Sequence, residues 1–507
     1  MSDEIELKLA IAPEALASVL KAAPLRARKI RFKPARQLVT TYYDTPKGAL
    51  RAHGIFLRVR QDGTRFVQAV KTAGEGGLLA ERGEWEWPIP VADPDLVLAA
   101  ESGLKPLIKR AKKGGLARLF ASEIERRVAL LTDGDSVLEL ALDQGLVRAG
   151  RRTQALCELE IEVKAGSVAP LFALARELGA LPGVSVGFAT KASRGFALSG
   201  GHAAKSVKAA DVALDPTMTP SAASAAILDS CAAQAAANLP VVTAHRLPEG
   251  VHQLRVALRR LRAALAVFKD VLPSDRRKPL RRDAGWLAGV LGPARDLDVM
   301  TGGLLKAAAA PADMAEDMRL LGRVLTTARR TAWHEAIAAT SSPRATLLLL
   351  DLAETAWTLR HDLPDLGAPP LLDFATAQLE QRFEAVLAAA GPDLETLDIE
   401  ARHELRLALK KLRYAADFFA GLFPRKAAKA GIKVLAALQD ALGGFNDAVS
   451  VDAILKRAIG AGPAKNKDAL QRAALFVSGW AAHRGALAWG EARACWAAFA
   501  AEGAFWR

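Results

Sequence analysis

The chain has 507 residues, 51% hydrophobic and 24% charged, which suits a globular protein of two or three domains and excludes a disordered one. A formal net charge of +14 and a pI near 9.8 call for an anionic partner. Cys157, Cys231 and Cys495 lie far apart, which argues against a disulfide scaffold or a zinc site and fits a reducing compartment.

The chain opens on the acidic Met1-Ser2-Asp3-Glu4, where a secretion signal would be basic and then apolar. No apolar run nears the roughly 18 residues that cross a bilayer. The expectation is a cytoplasmic protein with no membrane partner. Strands are predicted near 3–10, 38–43, 55–61, 65–71, 81–87, 124–131, 136–143 and 155–164, with helical stretches near 13–23 and 168–179. So many antiparallel strands suggest a barrel or a strongly curved sheet over residues 1–200. Residues 201–220 read as a linker of Gly, Ser, Ala, Asp and Pro, and 221–507 as helical throughout. Up to residue 200 there are 30 Lys+Arg against 23 Asp+Glu, and beyond it 39 against 32, so bulk charge does not say which half binds the anion.

The strands carry charge on one face. In Glu4-Ile5-Glu6-Leu7-Lys8-Leu9 the two glutamates and the lysine share a face. Arg58 and Arg60 oppose Leu57 and Val59; Arg82, Glu84 and Glu86 oppose Trp85 and Trp87. Glu139 and Asp143 oppose Leu138, Leu140 and Leu142; Glu158, Glu160 and Glu162 oppose Leu159, Ile161 and Val163. Like charges on one face repel, so a partner must compensate, and a barrel lined with both signs around a metal and a polyanion would do so.

These residues resemble the CYTH domain, or triphosphate tunnel metalloenzymes. The carriers are the ExExK opening Glu4 to Lys8, Tyr43-Asp44-Thr45-Pro46, Leu57-Arg58-Val59-Arg60, Lys71 and Arg82-x-Glu84-x-Glu86. Further carriers are Ala141-Leu142-Asp143-x-Gly145, Glu158-x-Glu160-x-Glu162 and Lys191-x-x-Arg194-Gly195. The resemblance implies an eight-stranded antiparallel tunnel with covering helices that binds a triphosphate with Mg²⁺ or Mn²⁺. Hard cations take carboxylate oxygens, which Glu4 and Glu6 with two of Glu158, Glu160 and Glu162 would supply. Lys8, Arg58, Arg60, Lys71, Arg82, Arg126, Lys191 and Arg194 are the candidate phosphate ligands, with Arg127 able to replace Arg126 after a one-residue register shift. Glu4, Glu6 and Lys8 are the catalytic candidates. His53 is expected to be a turn or surface residue.

The second half contains an internal repeat. His-Gln-Leu-Arg-Val-Ala-Leu-Arg-Arg-Leu-Arg at 252–262 returns as His-Glu-Leu-Arg-Leu-Ala-Leu-Lys-Lys-Leu-Arg at 403–413. Leu291-Gly292 returns at Leu442-Gly443 and Asp296 at Asp447, always 151 positions on. On a helix His252, Arg255, Arg259 and Arg262 form one stripe, as do His403, Arg406, Lys410 and Arg413. Asp296, Asp298 and Asp447 are candidate ion-pair partners. The two helices, with Leu291-Gly292-x-x-Arg295-Asp296-x-Asp298 and Leu438-Gln439-Asp440-x-Leu442-Gly443-x-x-Asn446-Asp447, resemble the CHAD domain. That resemblance implies two pseudo-symmetric four-helix bundles and binding of long-chain polyphosphate by the stripes. Neither stripe interleaves aromatics for base stacking, which disfavours nucleic acid.

The sequence therefore predicts an α+β multidomain inorganic triphosphatase whose tunnel hydrolyses tripolyphosphate and whose helical half binds polyphosphate, with association with polyphosphate granules as a further expectation. Two alternatives stay open: a tunnel acting on nucleoside or thiamine triphosphate or cyclising ATP, and a non-catalytic polyphosphate-granule adaptor.

Overall fold

The computed structural model describes all residues except 1–2, 73–77, 105–108, 110, 112, 201–204, 362–368, 461–465 and 503. Linker positions 201–204 therefore lie outside the described residues. The chain forms two compact units. One holds Met1–Val207 with Ala232–His245 and Ser341–Glu354; the other holds Lys208–Cys231, Arg246–Thr340 and Thr355–Arg507.

The first unit is built on nine antiparallel strands: β1 (Asp3–Ile11), β2 (Arg36–Asp44), β3 (Ile55–Asp62), β4 (Arg65–Thr72), β5 (Ala80–Ile89), β6 (Ala117–Asp133), β7 (Ser136–Ala149), β8 (Arg152–Ala165) and β9 (Val184–Val186). The order β5-β4-β3-β2-β6-β7-β8-β1 closes through β1–β5 pairing at Asp3–Glu6. Eight strands thus make the barrel, and β9 adds three residues beside Leu9–Ile11. That ninth strand is too short to show an alternation in the sequence. Closure removes free sheet edges.

Outward-facing Leu7, Leu9, Leu138, Leu140, Leu159 and Ile161 are fully buried, and α1 (Ala169–Gly179) packs on this wall with Leu171, Phe172, Leu174 and Leu178. Each such side chain contributes about 1.5–3 kcal/mol. The predicted helix at 13–23 is instead three short turns, Pro13–Ala15, Leu16–Leu20 and Ala23–Ala27, since Pro24 lacks the amide that a continuous helix requires. Helical residues 341–354 cluster with this unit because Thr346 and Leu350 lie against Gly179, and Arg176 Nε bonds Asp351 at 2.7 Å.

The helical half of the chain contains the duplication, and all of that half but Ala232–His245 and Ser341–Glu354 belongs to the second unit. The first repeat comprises α3 (Pro220–Thr243), α4 (Pro248–Val267), α5 (Ser274–Val299) and α6 (Ala315–Thr340). After α7 (Pro343–His361), the second comprises α8 (Leu371–Ala390), α9 (Ile399–Phe419), α10 (Arg425–Gly460) and α11 (Lys467–Glu502). Leu254, Leu258, Leu261 and Leu265 of α4, and Leu405, Leu409 and Leu412 of α9, are all buried, as the apolar stripe requires. The repeats meet where α4 runs against α9 and α6 against α10 and α11. The repeat-equivalent Phe268 and Phe419 touch each other, ring centroids 5.9 Å apart, as expected beside a pseudo-two-fold axis. Among the described residues one helix, α3, is long and apolar enough to cross a membrane, and 61% of that stretch is buried inside the protein. Its hydropathy comes from many alanines, which make no continuous run of large apolar residues.

Candidate functional site: a charged tunnel and a basic groove

The antiparallel register sets which side chains share the barrel interior. Arg58 stands opposite Tyr42, Lys71 opposite Glu84, Arg126 opposite Asp143, and Lys8 opposite Glu160. Helix α2 (Lys191–Gly200) adds Lys191, whose ammonium lies 2.7 Å from Asp143, 2.6 Å from Glu158 and 2.9 Å from Glu160. Lys8 Nζ donates to Glu160 at 2.6 Å and lies 2.9 Å from Glu6. Arg126 holds Asp143 bidentately at 2.7 and 2.6 Å and reaches Glu160 at 2.6 Å. In a second cluster Arg58 and Lys71 hold Glu84 at 3.0 and 2.7 Å, and Arg60 holds Glu86 at 2.9 Å. Arg194 Nη2 stands 4.0 Å from Glu158.

Burial by itself would discharge these groups, but at Lys191, Lys8 and Glu160 opposite neighbours win. Desolvation lowers Lys191 and Lys8, yet Glu160 with Glu158 and Asp143 lifts Lys191 well above its usual value, and Glu160 with Glu6 lifts Lys8. Desolvation pushes Glu160 up, yet Lys191, Lys8 and Arg126 hold it well below the usual carboxylate range. Arg60 is lowered, mainly by burial and then by Arg58. Lys191, Lys8 and Glu160 stay charged at neutral pH.

Carboxylate oxygens of Asp143, Glu158 and Glu160 lie within 4.8 Å of one another. Glu158 is fully buried, and its Oε2 makes no hydrogen bond. An unsatisfied buried carboxylate oxygen beside two others fits a hard divalent cation.

An apolar cluster seats α2 on the barrel. Tyr42 stacks on Phe120 at 4.6 Å, and Phe120 meets Phe196 of α2 edge-on at 5.0 Å. A Cβ at Gly195 would sit 2.0 Å from Phe120, so only glycine lets α2 approach and deliver Lys191.

In the helical unit the two stripes meet. Burial pushes Lys410 down to about 7, helped by Arg259, Arg406 and Arg255. Burial also lowers Arg255 and Arg406, with Arg259 adding to both. His252 is lowered by burial and then by Arg295, Arg259 and Arg255. The paired acids Asp296 and Asp447 are raised, first by burial, although Arg255 and Arg406 respectively oppose the rise. Arg259 Nε is buried without a hydrogen bond. Arg255 Nη1 donates to Ala288 O at 2.6 Å, and a Cβ on Gly292 would come within 3.0 Å of it. His403 Nδ1 donates to Asn446 Oδ1 at 3.0 Å. Arg262 is exposed and Arg413 leans 3.8 Å from Asp417, so the stripe ends lie apart from this concentration.

The CYTH domain sequence model matches residues 2–196, and the CHAD domain model matches residues 226–456. The chain is a CYTH–CHAD protein. An inorganic triphosphatase of Haemophilus influenzae is 31% identical over 203 residues, 39% of this chain; the chain spans 55% of that relative's length. The CHAD domain structure from the plant Ricinus communis is 30% identical with a TM-score of 0.51, covering 57% of this chain and 96% of that one. A Hippeastrum structure, described as a putative adenylyl cyclase with a dominant triphosphatase activity, is 20% identical with a TM-score of 0.28, covering 40% and 97%.

Within the CYTH domain the structure groups Glu6, Lys8, Arg58, Arg60, Lys71, Arg126, Glu158, Glu160, Lys191 and Arg194. It places Glu158 and Glu160 with Asp143, and Glu162 2.5 Å from Lys164. Arg126 faces inward, while Arg127 bonds Glu125 at 2.7 Å. The backbone of Glu4 pairs with Arg82, but their side chains lie outside the described residues. Asp44 is structural: its carboxylate accepts the amides of Thr45, Leu50 and Arg51 at 2.6–3.0 Å. His53 is exposed, bonded to Ala49 O. Asp143 was missing from the predicted metal set, and Glu84 and Glu86 from the site; their shared faces with Glu139 and Arg82 were the available signal. In the CHAD domain Asp298 belongs elsewhere: Arg329 and Trp333 donate to it at 2.5 and 3.0 Å.

Proposed function

We propose that the CYTH domain hydrolyses inorganic triphosphate with Mg²⁺ or Mn²⁺ and that the CHAD domain binds long-chain polyphosphate. One observation carries the first part: Asp143, Glu158 and Glu160 converge inside a tunnel rich in cations. Carboxylates would repel a polyanion unless a cation intervened. Glu158, Glu160 and Asp143, with Glu6 nearby, would hold the metal, which supplies charge neutralisation and an activated water. Arg58, Arg60, Lys71, Arg126 and Arg194 bind phosphate oxygens and set the chain in line for attack, which is most of what phosphoryl transfer requires. Lys8 and Lys191 exchange their carboxylate partners for phosphate oxygens as the ligand arrives. The interior contains no described serine–histidine or cysteine–histidine pair, so attack by water fits better than a covalent enzyme intermediate. The name of the Haemophilus relative supports the inorganic substrate.

The convergence of Arg255, Arg259, Arg406 and Lys410 supports polyphosphate binding, since cations drawn together across two repeats suit a repeating anion. The test is phosphate release from tripolyphosphate with Mg²⁺ or Mn²⁺, comparing wild type with Glu6→Gln and Glu158→Gln. Metal-dependent turnover lost in both variants is expected; turnover unaffected by either would overturn the reading.

A further inference from the structure

The two CHAD repeats diverge beside the basic groove. In the second, α9 and α10 form a cavity of about 370 Å³ whose lining includes Ile399, His403, Arg406, Phe445, Asn446 and Val449. Phe445 is backed by Trp489, ring centroids 5.7 Å apart, and the Arg402 guanidinium lies 4.2 Å from the Trp489 ring centre and 5.3 Å from that of Phe445. One wall thus offers the Phe445 ring and the flat Arg402 cation, with Trp489 behind them. Asn446 supplies an amide edge, fixed by His403.

The first repeat keeps His252 and Arg255 at the places of His403 and Arg406 but lacks the rings and the amide. The counterparts of Phe445, Asn446, Val449 and Trp489 are Ala294, Arg295, Asp298 and Ala338. There Asp298 ties α5 to α6 through Arg329 and Trp333. Binding a featureless phosphate chain gives no reason for an aromatic, amide-edged pocket on one side only. A flat heterocycle joined to phosphates does: bases stack on aromatic rings and guanidinium planes and hydrogen-bond to amides. The volume is within the range of small-ligand sites.

We propose that this pocket holds the base of a free nucleoside di- or triphosphate, with its phosphates on Arg406, Lys410 and Arg259. The phosphate end of this proposal rests on the polyphosphate reading of the groove. Nucleotide and polyphosphate then compete for one site, and the CHAD domain responds to both.

The experiment is displacement of fluorescently labelled long-chain polyphosphate from the full-length protein by ATP or by tripolyphosphate, in EDTA so that nothing turns over. ATP is expected to displace the label about tenfold better than tripolyphosphate, the scale of one stacked base. Phe445→Ala and Val449→Asp, the latter restoring the first repeat's residue, should each remove that advantage while leaving displacement by tripolyphosphate intact. Equal potency of ATP and tripolyphosphate on the wild type, or an advantage that survives both substitutions, would overturn the proposal. If labelled polyphosphate does not bind, the groove reading fails by itself. Direct calorimetric titration with ATP then decides the pocket: binding lost in Phe445→Ala supports it, and binding insensitive to that change overturns it.

Discussion

The CYTH and CHAD domains both gather cations, but they neutralise them differently. In the tunnel each described cation but Arg194 has a carboxylate within 3.0 Å, and burial is offset by opposite charge. In the groove burial lowers Arg255, Arg406 and Lys410, the Arg259 charge adds to each, and Lys410 falls to about 7. Acids set among the cations suit the anion and metal proposed for the tunnel, and cations crowded together beside Asp296 and Asp447 suit the metal-free anion proposed for the groove.

The largest expected effect sharpens the first half of that contrast. Glu160→Gln removes a metal-ligand candidate that also holds Lys8, Arg126 and Lys191, and tripolyphosphate turnover should fall about 10²–10³-fold in a phosphate-release assay. In the groove, Arg259→Ala with Lys410→Ala deletes two charge-assisted contacts, and polyphosphate affinity should fall on the order of 10²-fold by fluorescence anisotropy. An unchanged affinity would break the comparison, because the groove would then be a merely solvated cationic face.

Gly195→Ala probes how α2 enters the tunnel. The Phe120 clash should cost about 1–3 kcal/mol, seen as a lower Tm, and should reduce turnover by displacing Lys191.

The smallest effect is a pH dependence. The folded pKa of Lys410 is depressed, so between about pH 7 and the usual lysine range the unfolded chain holds a proton that the folded one lacks. Stability from this group therefore rises with pH across that window. Anion binding runs the other way, since it favours the protonated form: affinity for polyphosphate should drop about tenfold from pH 6 to pH 8. Lys410→Arg should flatten this drop, and a wild-type affinity constant over that range would sink the idea.

Much of the tunnel was legible because strand alternation has a period of two. Once Lys8 is on the inner face, Glu6 must be too, and the same holds for Arg58 with Arg60 and Glu158 with Glu160. The choice between Arg126 and Arg127 was not legible, because a one-residue slip exchanges them and only β6–β7 pairing places Arg126 against Asp143. Asp143 itself stood on a recognised charged face, but nothing in the sequence joined β7 to the β8 acids. The stripes of the groove were equally visible, since a repeat displays itself. Their convergence was not, and neither was Phe445, which lies far along the chain from His403 and reaches the cavity only because α10 packs on α9. The absence of interleaved aromatics in each stripe was a true statement about a helix and an incomplete one about a surface.

By itself the sequence determined the antiparallel strands, the helical duplication and the faces on which charge lies, because periodicity and spacing are local properties of a chain, while the two domain families and the closure of the sheet came from the resemblance its motifs carry. The tertiary structure alone decided which charges meet: the Asp143–Glu158–Glu160 cluster, the pooled cations of two repeats and the lopsided pocket beside them. Electrostatic energy depends on distance and burial, and both are fixed only when remote segments pack.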